Sequence, residues 1–120
     1  MEAKTPPNKI DIEKVILGAL LIDDRSVAKA IEVLKGKVDI FYDIKHQKIY
    51  EAIYDLYSKN ESVDLMTVNQ KLKITDGLKT VDEVYLIKLT QMVSSGAHIE
   101  YHCRLILQDY IKRTSIKVGN

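Results

Sequence analysis

"IFYDIKHQKIYEAIYDLY", residues 40–57, holds four of the chain's seven tyrosines, its only phenylalanine and one of its three histidines. It can be a stacking platform for bases, a catalytic acid–base cluster, or the inside of a protein. At about 100° per residue on a helix, His46, Ile49, Tyr50, Ala52, Ile53, Leu56 and Tyr57 fall within roughly half the circumference. Gln47, Lys48, Glu51, Asp55, Ser58 and Lys59 take the other half, with Tyr54 at the border. The aromatics thus share a face with aliphatics. A base-stacking surface interleaves aromatics with Lys and Arg along an exposed groove, and this face has no such cations. Acid–base work by His46 needs a second titratable group facing it; Asp43, one turn back, is more economically a helix cap. The stretch is therefore expected to be a core helix, about Ile44 to Asn60, with each phenol reaching a polar partner at the rim.

Outward from this helix the pattern stays helical. Both prolines, Pro6 and Pro7, lie in the N-terminal arm, so the rest is free of the strongest helix breaker. Asn8 can cap a first helix with Asp11 in its first turn. Its body, KVILGALLI (14–22), has no polar residue after Lys14, which predicts burial on all sides. Asp24 is expected to cap a second helix with Val27, Ala30, Ile31 and Leu34 on one face, ended by Gly36. Asp64 caps a short fourth, with Leu65, Val68 and Leu72 inward. Thr80-Val81-Asp82-Glu83 forms a capping box that opens a fifth, to about Met92. Ser94 or Ser95 starts a sixth, running toward the C-terminus. Strand-period alternation is nowhere sustained, so the class is all-α. The expected core includes Leu17, Leu20, Leu21, Ile49, Tyr50, Ile53, Leu56, Leu65, Val68 and Leu72.

Composition excludes several functions. At 120 residues, 46% hydrophobic and 29% charged, the chain is the size of one globular domain. A net charge of +1 leaves no overall basic footprint for a nucleic acid. The single cysteine, Cys103, excludes an internal disulfide framework and fits a reducing compartment. The longest apolar run, Val15–Ile22, is eight residues against the roughly 20 needed to span a bilayer. No export signal is visible, and a cytoplasmic location is expected. His98 and His102 share a side of the sixth helix, but zinc needs a third ligand; Cys103 points about a third of a turn away and Glu100 lies elsewhere. GxxxxGK[ST], GxGxxG and GxSxG are all absent. No catalytic, cofactor-binding or metal-binding residue is expected in this chain.

The last segment, RLILQDYIKRTSIKVGN (104–120), is mildly basic, and the simplest reading of Arg104, Lys112, Arg113 and Lys117 is a solvated helix face. The sixth helix also carries two apolar stripes. Ile99, Cys103, Ile106, Leu107, Tyr110 and Ile111 form one; Tyr101, Leu105 and Ile116 lie roughly opposite. One stripe packs on the domain itself. The other is a candidate partner interface, or a scatter of surface apolar residues of the kind common on any protein.

The order of motifs is similar to that of the N-terminal domain of the replicative DNA helicase of the DnaB type. TPPNKIDIEKVILGALLID opens the chain, with Leu17-Gly18-Ala19-Leu20-Leu21 matching a Leu-Gly-x-Leu-Leu helix end. Phe41 and Tyr42 precede the histidine-bearing helix of His46; Val63, Asp64, Leu65 and Thr67 match a Val-Asp-Leu-x-Thr start; Ile99-Glu100-Tyr101 matches the late helix. The likeness covers about residues 5 to 113, with departures at Ser94, where proline is usual, at His98, where asparagine is frequent, and in a loop lacking paired glycines. The resemblance implies a compact orthogonal multi-helix head followed by a helical hairpin. Residues 1–7 would be a flexible arm, 8–93 the head, and 94–120 the first helix of the hairpin and start of the linker, its return arm lying beyond Asn120. It further implies a collar on a hexameric ring, formed with other helicase subunits, that receives primase and in some systems a helicase loader. ATP and Mg would belong to a motor domain outside these residues, which would also make most of the DNA contacts. The alternative from another class is a stand-alone helical nucleic-acid-binding protein.

Overall fold

The computed structural model describes residues 9–75 and 79–118, with side chains through residue 115. Asn8, proposed above as a cap, and the arm 1–7 lie outside the described residues. In chain order the elements are α1 (Ile10–Ile22), α2 (Asp24–Leu34), a 3-10 turn (Val38–Ile40), α3 (Ile44–Ser58), α4 (Leu65–Ile74), α5 (Glu83–Gln91) and α6 (Ile99–Val118), with no strand among the described residues.

Helix α1 is the hub. It packs on each of the other five helices, and Ile16 through Leu21 are buried without interruption. The unbroken apolar run favours this arrangement, because it offers no polar face between these residues; burial on all sides fails at the run's end, where Ile22 is 42% exposed as the chain turns into α2. Burying side chains of the size of Ile16, Leu17 and Leu20 contributes roughly 1.5–3 kcal/mol each. Gly18 is there for closeness: a Cβ at this position would stand 2.3 Å from the carbonyl oxygen of Leu89. The backbones of α1 and α5 therefore touch at a point where only hydrogen fits.

Helix α3 lies in the core with the face its wheel predicts, except at Tyr57, which the wheel places on that face and which lies exposed in the helix's last turn. His46, Ile49, Tyr50, Ala52, Ile53 and Leu56 are buried, whereas Tyr57 is 41% exposed and Tyr54 sits at the edge. Tyr50 packs on Phe41 at a ring-centroid distance of 5.1 Å and donates its hydroxyl to the Lys35 carbonyl. Burial, with smaller effects from Cys103 and Tyr54, pushes the Tyr50 phenol above its ordinary pKa, so it remains a donor. Of the expected core, Leu17, Leu20, Leu21, Ile49, Tyr50, Ile53, Leu56, Val68 and Leu72 are buried; Leu65 is half-buried and packs against the others from the rim.

The caps differ from expectation in instructive places. Asp43 and Asp64 cap α3 and α4, the latter in a box with Thr67. The second helix is capped by Asp23 rather than Asp24: Asp23 has the extended backbone a cap needs and accepts the Arg25 amide, while Asp24 is already helical. The fifth is capped by Asp82, which accepts the Tyr85 amide at 2.9 Å, and Thr80 lies outside it. Helix α2 ends at Lys35, not Gly36, with φ 56° and ψ −149°. Gly36 serves a different need, because a Cβ there would stand 2.9 Å from the Tyr54 ring. Helix α3 stops at Ser58, and Asn60 takes the left-handed turn, a conformation asparagine tolerates better than most residues.

The sixth helix begins at Ile99, not at Ser94 or Ser95. The intervening residues are used as a tether. The Gly96 amide donates to Asp23 Oδ2 at 3.0 Å, and a Cβ on Gly96 would meet the Ser26 Cβ at 2.6 Å. The loop is thereby held against the α1–α2 junction before the helix can start.

Candidate functional site: a helix face and two polar clusters

Helix α6 carries the candidate interface. Its inner stripe is sunk in the core: Ile99, Cys103 and Ile106 are buried, and Leu107 and Tyr110 pack against them from the edge. Ile111, placed with this stripe by the wheel, is exposed. Burial, the larger effect, pushes the Cys103 thiol up to about 12, so no reactive thiolate stands here at neutral pH. On the opposite side Tyr101 is 61% exposed and Leu105 half-buried. The backbone of Ile116 belongs to α6, while its side chain lies outside the described residues. The arrangement is a helix packed on one side, with an aromatic and an aliphatic group standing on the other.

His98 and His102 face each other edge to face at 6.3 Å between ring centroids. Cys103 is turned into the core, and among the described residues no group of three or more His, Cys, Asp or Glu could hold a metal ion. Partial burial, and then the neighbouring His98, lower the His102 pKa.

The buried polar cluster lies elsewhere. His46 is fully buried, with Nδ1 2.7 Å from Glu13 Oε1 and Nε2 2.6 Å from the Tyr85 hydroxyl. Glu13 is buried as well, and its other oxygen accepts the Tyr42 amide at 2.6 Å. Burial above all, followed by the negative charges of Asp43 and Glu13, pushes the Tyr85 phenol up to about 12. The phenol therefore donates to Nε2, and Nδ1–H donates to Glu13. This chain pins α1, α3 and α5 together and closes off both ring nitrogens. No substrate atom has access to His46, and the cluster works as structure.

A second cluster sits at the surface. The Arg113 guanidinium lies 5.3 Å from the Tyr42 ring and 5.5 Å from the Tyr110 ring. It donates to Asp109 at 3.1 Å and to the carbonyls of Asp39 and Ile40 at 3.4 and 3.3 Å. The basic residue that the sequence places on a solvated face is thus engaged by its own domain. Across α3 and α4, Lys71 and Lys59 close on Asp55 and hold its carboxyl below the usual carboxylate range, Lys71 most strongly. Beside them Leu56, Met66, Asn69 and Ile74 line an open groove.

Sequence reasoning did not find Glu13, Tyr85 or Arg113 as network members. Glu13 had one visible signal: it is a carboxylate in the first turn of a helix whose following residues form an unbroken apolar run. No helix among the described residues is long and apolar enough to cross a membrane.

The described residues form an all-helical domain with Tyr101 and Leu105 on the outer face of its last helix. Comparison with known proteins identifies the kind. Residues 5–108 match the model for the DnaB-like helicase N terminal domain, and the chain belongs to that family. It is 39% identical over 111 residues to the replicative DNA helicase DnaB of Rhodothermus marinus, covering 92% of this chain and 12% of that protein. It is 36% identical to the replicative DNA helicase DnaC of Bacillus subtilis, covering 97% of this chain and 25% of the relative. The chain therefore spans between an eighth and a quarter of the length of these two relatives. Among solved structures, the N-terminal domain of DnaB helicase from Mycobacterium tuberculosis superimposes with a TM-score of 0.88 at 28% identity, over 96% of this chain and 79% of that one.

Proposed function

We propose that this chain is the N-terminal collar domain of a hexameric replicative DNA helicase, joining subunits and offering a docking surface to primase and, where one is used, to a helicase loader. ATP with Mg, translocation and most DNA contacts belong in this reading to a motor domain of the parent protein. The absence of a phosphate-binding loop motif from the sequence supports that division. Its mechanism is binding, in a cytoplasmic assembly.

The observation that carries the reading is the outer face of α6. Tyr101 and Leu105 stand opposite a stripe already committed to the core, on a domain of a family whose relatives are replicative helicases. Covering such a face removes apolar surface from water at about 25 cal/mol per Å². In the assembled protein the cover is the return helix of a hairpin together with a neighbouring subunit. Calorimetric titration of the cognate primase's C-terminal domain onto the assembled parent helicase tests the docking half; micromolar or tighter binding is expected, and a flat titration would refute it.

The stand-alone nucleic-acid reading has less support. Tyr50 is buried, Arg113 is engaged, and the net charge is +1. It requires binding that weakens steeply with salt, so a filter-binding titration at low salt is expected to show none.

A further inference from the structure

Helix α6 has 20 residues, which at 1.5 Å per residue is about 30 Å of rod. Its two halves are held by different forces. Up to Ile106 the inward side chains are buried apolar groups; after Ile106 no described residue of the helix is fully buried. The inward positions of the second half are Leu107, which packs on the core from its edge, and then Tyr110, Arg113 and Thr114. Thr114 returns its hydroxyl to the carbonyls of Tyr110 and Ile111 within the helix. Tyr110 and Arg113 reach the 3-10 turn. Tyr110 donates to Asp39 Oδ2 at 3.2 Å, Lys37 Nζ lies 5.8 Å from the Tyr110 ring, and Arg113 donates to the two carbonyls there while lying between the Tyr42 and Tyr110 rings.

We propose that Arg113 is a polar latch that fixes the direction of the C-terminal half of α6 on the head, and that this half opens as a local unit while the core stays closed. Three features support a latch. The planar guanidinium satisfies two carbonyls and two aromatic faces at once, which a lysine ammonium does not match. Asp109, one turn earlier, orients it. Its cover, Tyr42, is 62% exposed, so water reaches the contact and it can break without opening the apolar interior. Segments held by few buried contacts open at lower free energy than core helices. The inference does not depend on the collar reading, because it concerns a motion of this domain whatever covers its outer face.

Hydrogen-exchange mass spectrometry on the intact protein tests it. Arg113→Gln is expected to speed amide exchange across residues 107–115 by tenfold or more, leaving residues 12–21 and 49–56 at wild-type rates. Arg113→Lys, which keeps the charge and loses the fork, is expected to behave like the glutamine variant. Tyr42→Leu, at a largely exposed side chain, is expected to give a smaller acceleration in the same segment. Unchanged exchange in 107–115, wild-type behaviour of the lysine variant, or an equal acceleration throughout the core would each overturn the latch.

Discussion

Helices α1 and α6 both carry apolar groups on more than one side, and the fold treats them oppositely. Helix α1 packs on all five other helices, and Ile16 through Leu21 are buried in succession. The inner side of α6 is covered, and past Leu107 that side is held largely by the polar and aromatic contacts of Tyr110 and Arg113. Their polar residues follow suit. Glu13 of α1 is buried against His46 and two elements beyond it; Arg113 of α6 is stacked at the surface. The contrast separates the two helices: the interior around α1 makes the domain, and in the proposed collar reading the rod of α6 presents it.

The sharpest way to break this comparison is to cut the interior chain. Glu13→Ala leaves His46 and the Tyr42 amide without their acceptor in a closed core, and each buried donor left unsatisfied destabilises by about 1–3 kcal/mol. Urea unfolding measures it; a loss below about 1 kcal/mol would show that water or a neighbour replaces Glu13. Next comes Gly18→Ala. Its methyl falls on the Leu89 carbonyl, so α1 and α5 must separate, with an overpacking loss of about 1–3 kcal/mol and an earlier thermal midpoint.

A gain is expected at Lys35. Its backbone, at φ 56° and ψ −149°, lies near a region that suits glycine almost alone and strains other residues by roughly 1–3 kcal/mol. Lys35→Gly is expected to raise stability by about 1 kcal/mol after the entropy of glycine is subtracted, read as a higher urea midpoint at unchanged slope.

Smaller again is the pH effect at Asp23. The Gly96 amide, more than any other contact, holds its carboxyl below the ordinary value of 3.8, with Arg25 assisting. Because the folded value is the lower one, its contribution is present in full above the unfolded value and disappears as pH falls through the folded value. Thermal melts of wild type and Asp23→Asn are therefore expected to differ at pH 7 and converge well below pH 4. A difference independent of pH would assign the tether to something other than charge. On the outer face of α6, finally, Tyr101→Ser is expected to change stability by no more than about 0.5 kcal/mol.

Much of this was legible in the sequence because apolar periodicity survives packing. The run Val15–Ile22 announced a central buried helix, which holds for Ile16 through Leu21 and not for Ile22, and the wheel of α3 separated Tyr50 from Lys48 and Glu51. What stayed hidden were contacts between residues far apart in sequence. Glu13 meets His46 across 33 residues and Arg113 meets Ile40 across 73; no local pattern encodes such pairings. Caps were misplaced by a residue or two where two candidates stood side by side, as at Asp23 and Asp24, because only the backbone angle decides between them. The start of α6 was missed because Asp23, 73 residues earlier, captures the Gly96 amide and delays the helix.

The central claim is that the outer face of α6 is an interface. Cysteine labelling at position 101 tests it most directly, since the native Cys103 is fully buried. Tyr101→Cys is expected to react with a maleimide freely in the isolated domain and at least tenfold more slowly in the assembled parent helicase. Equal rates in the two would leave that face bare in the assembly and contradict the account.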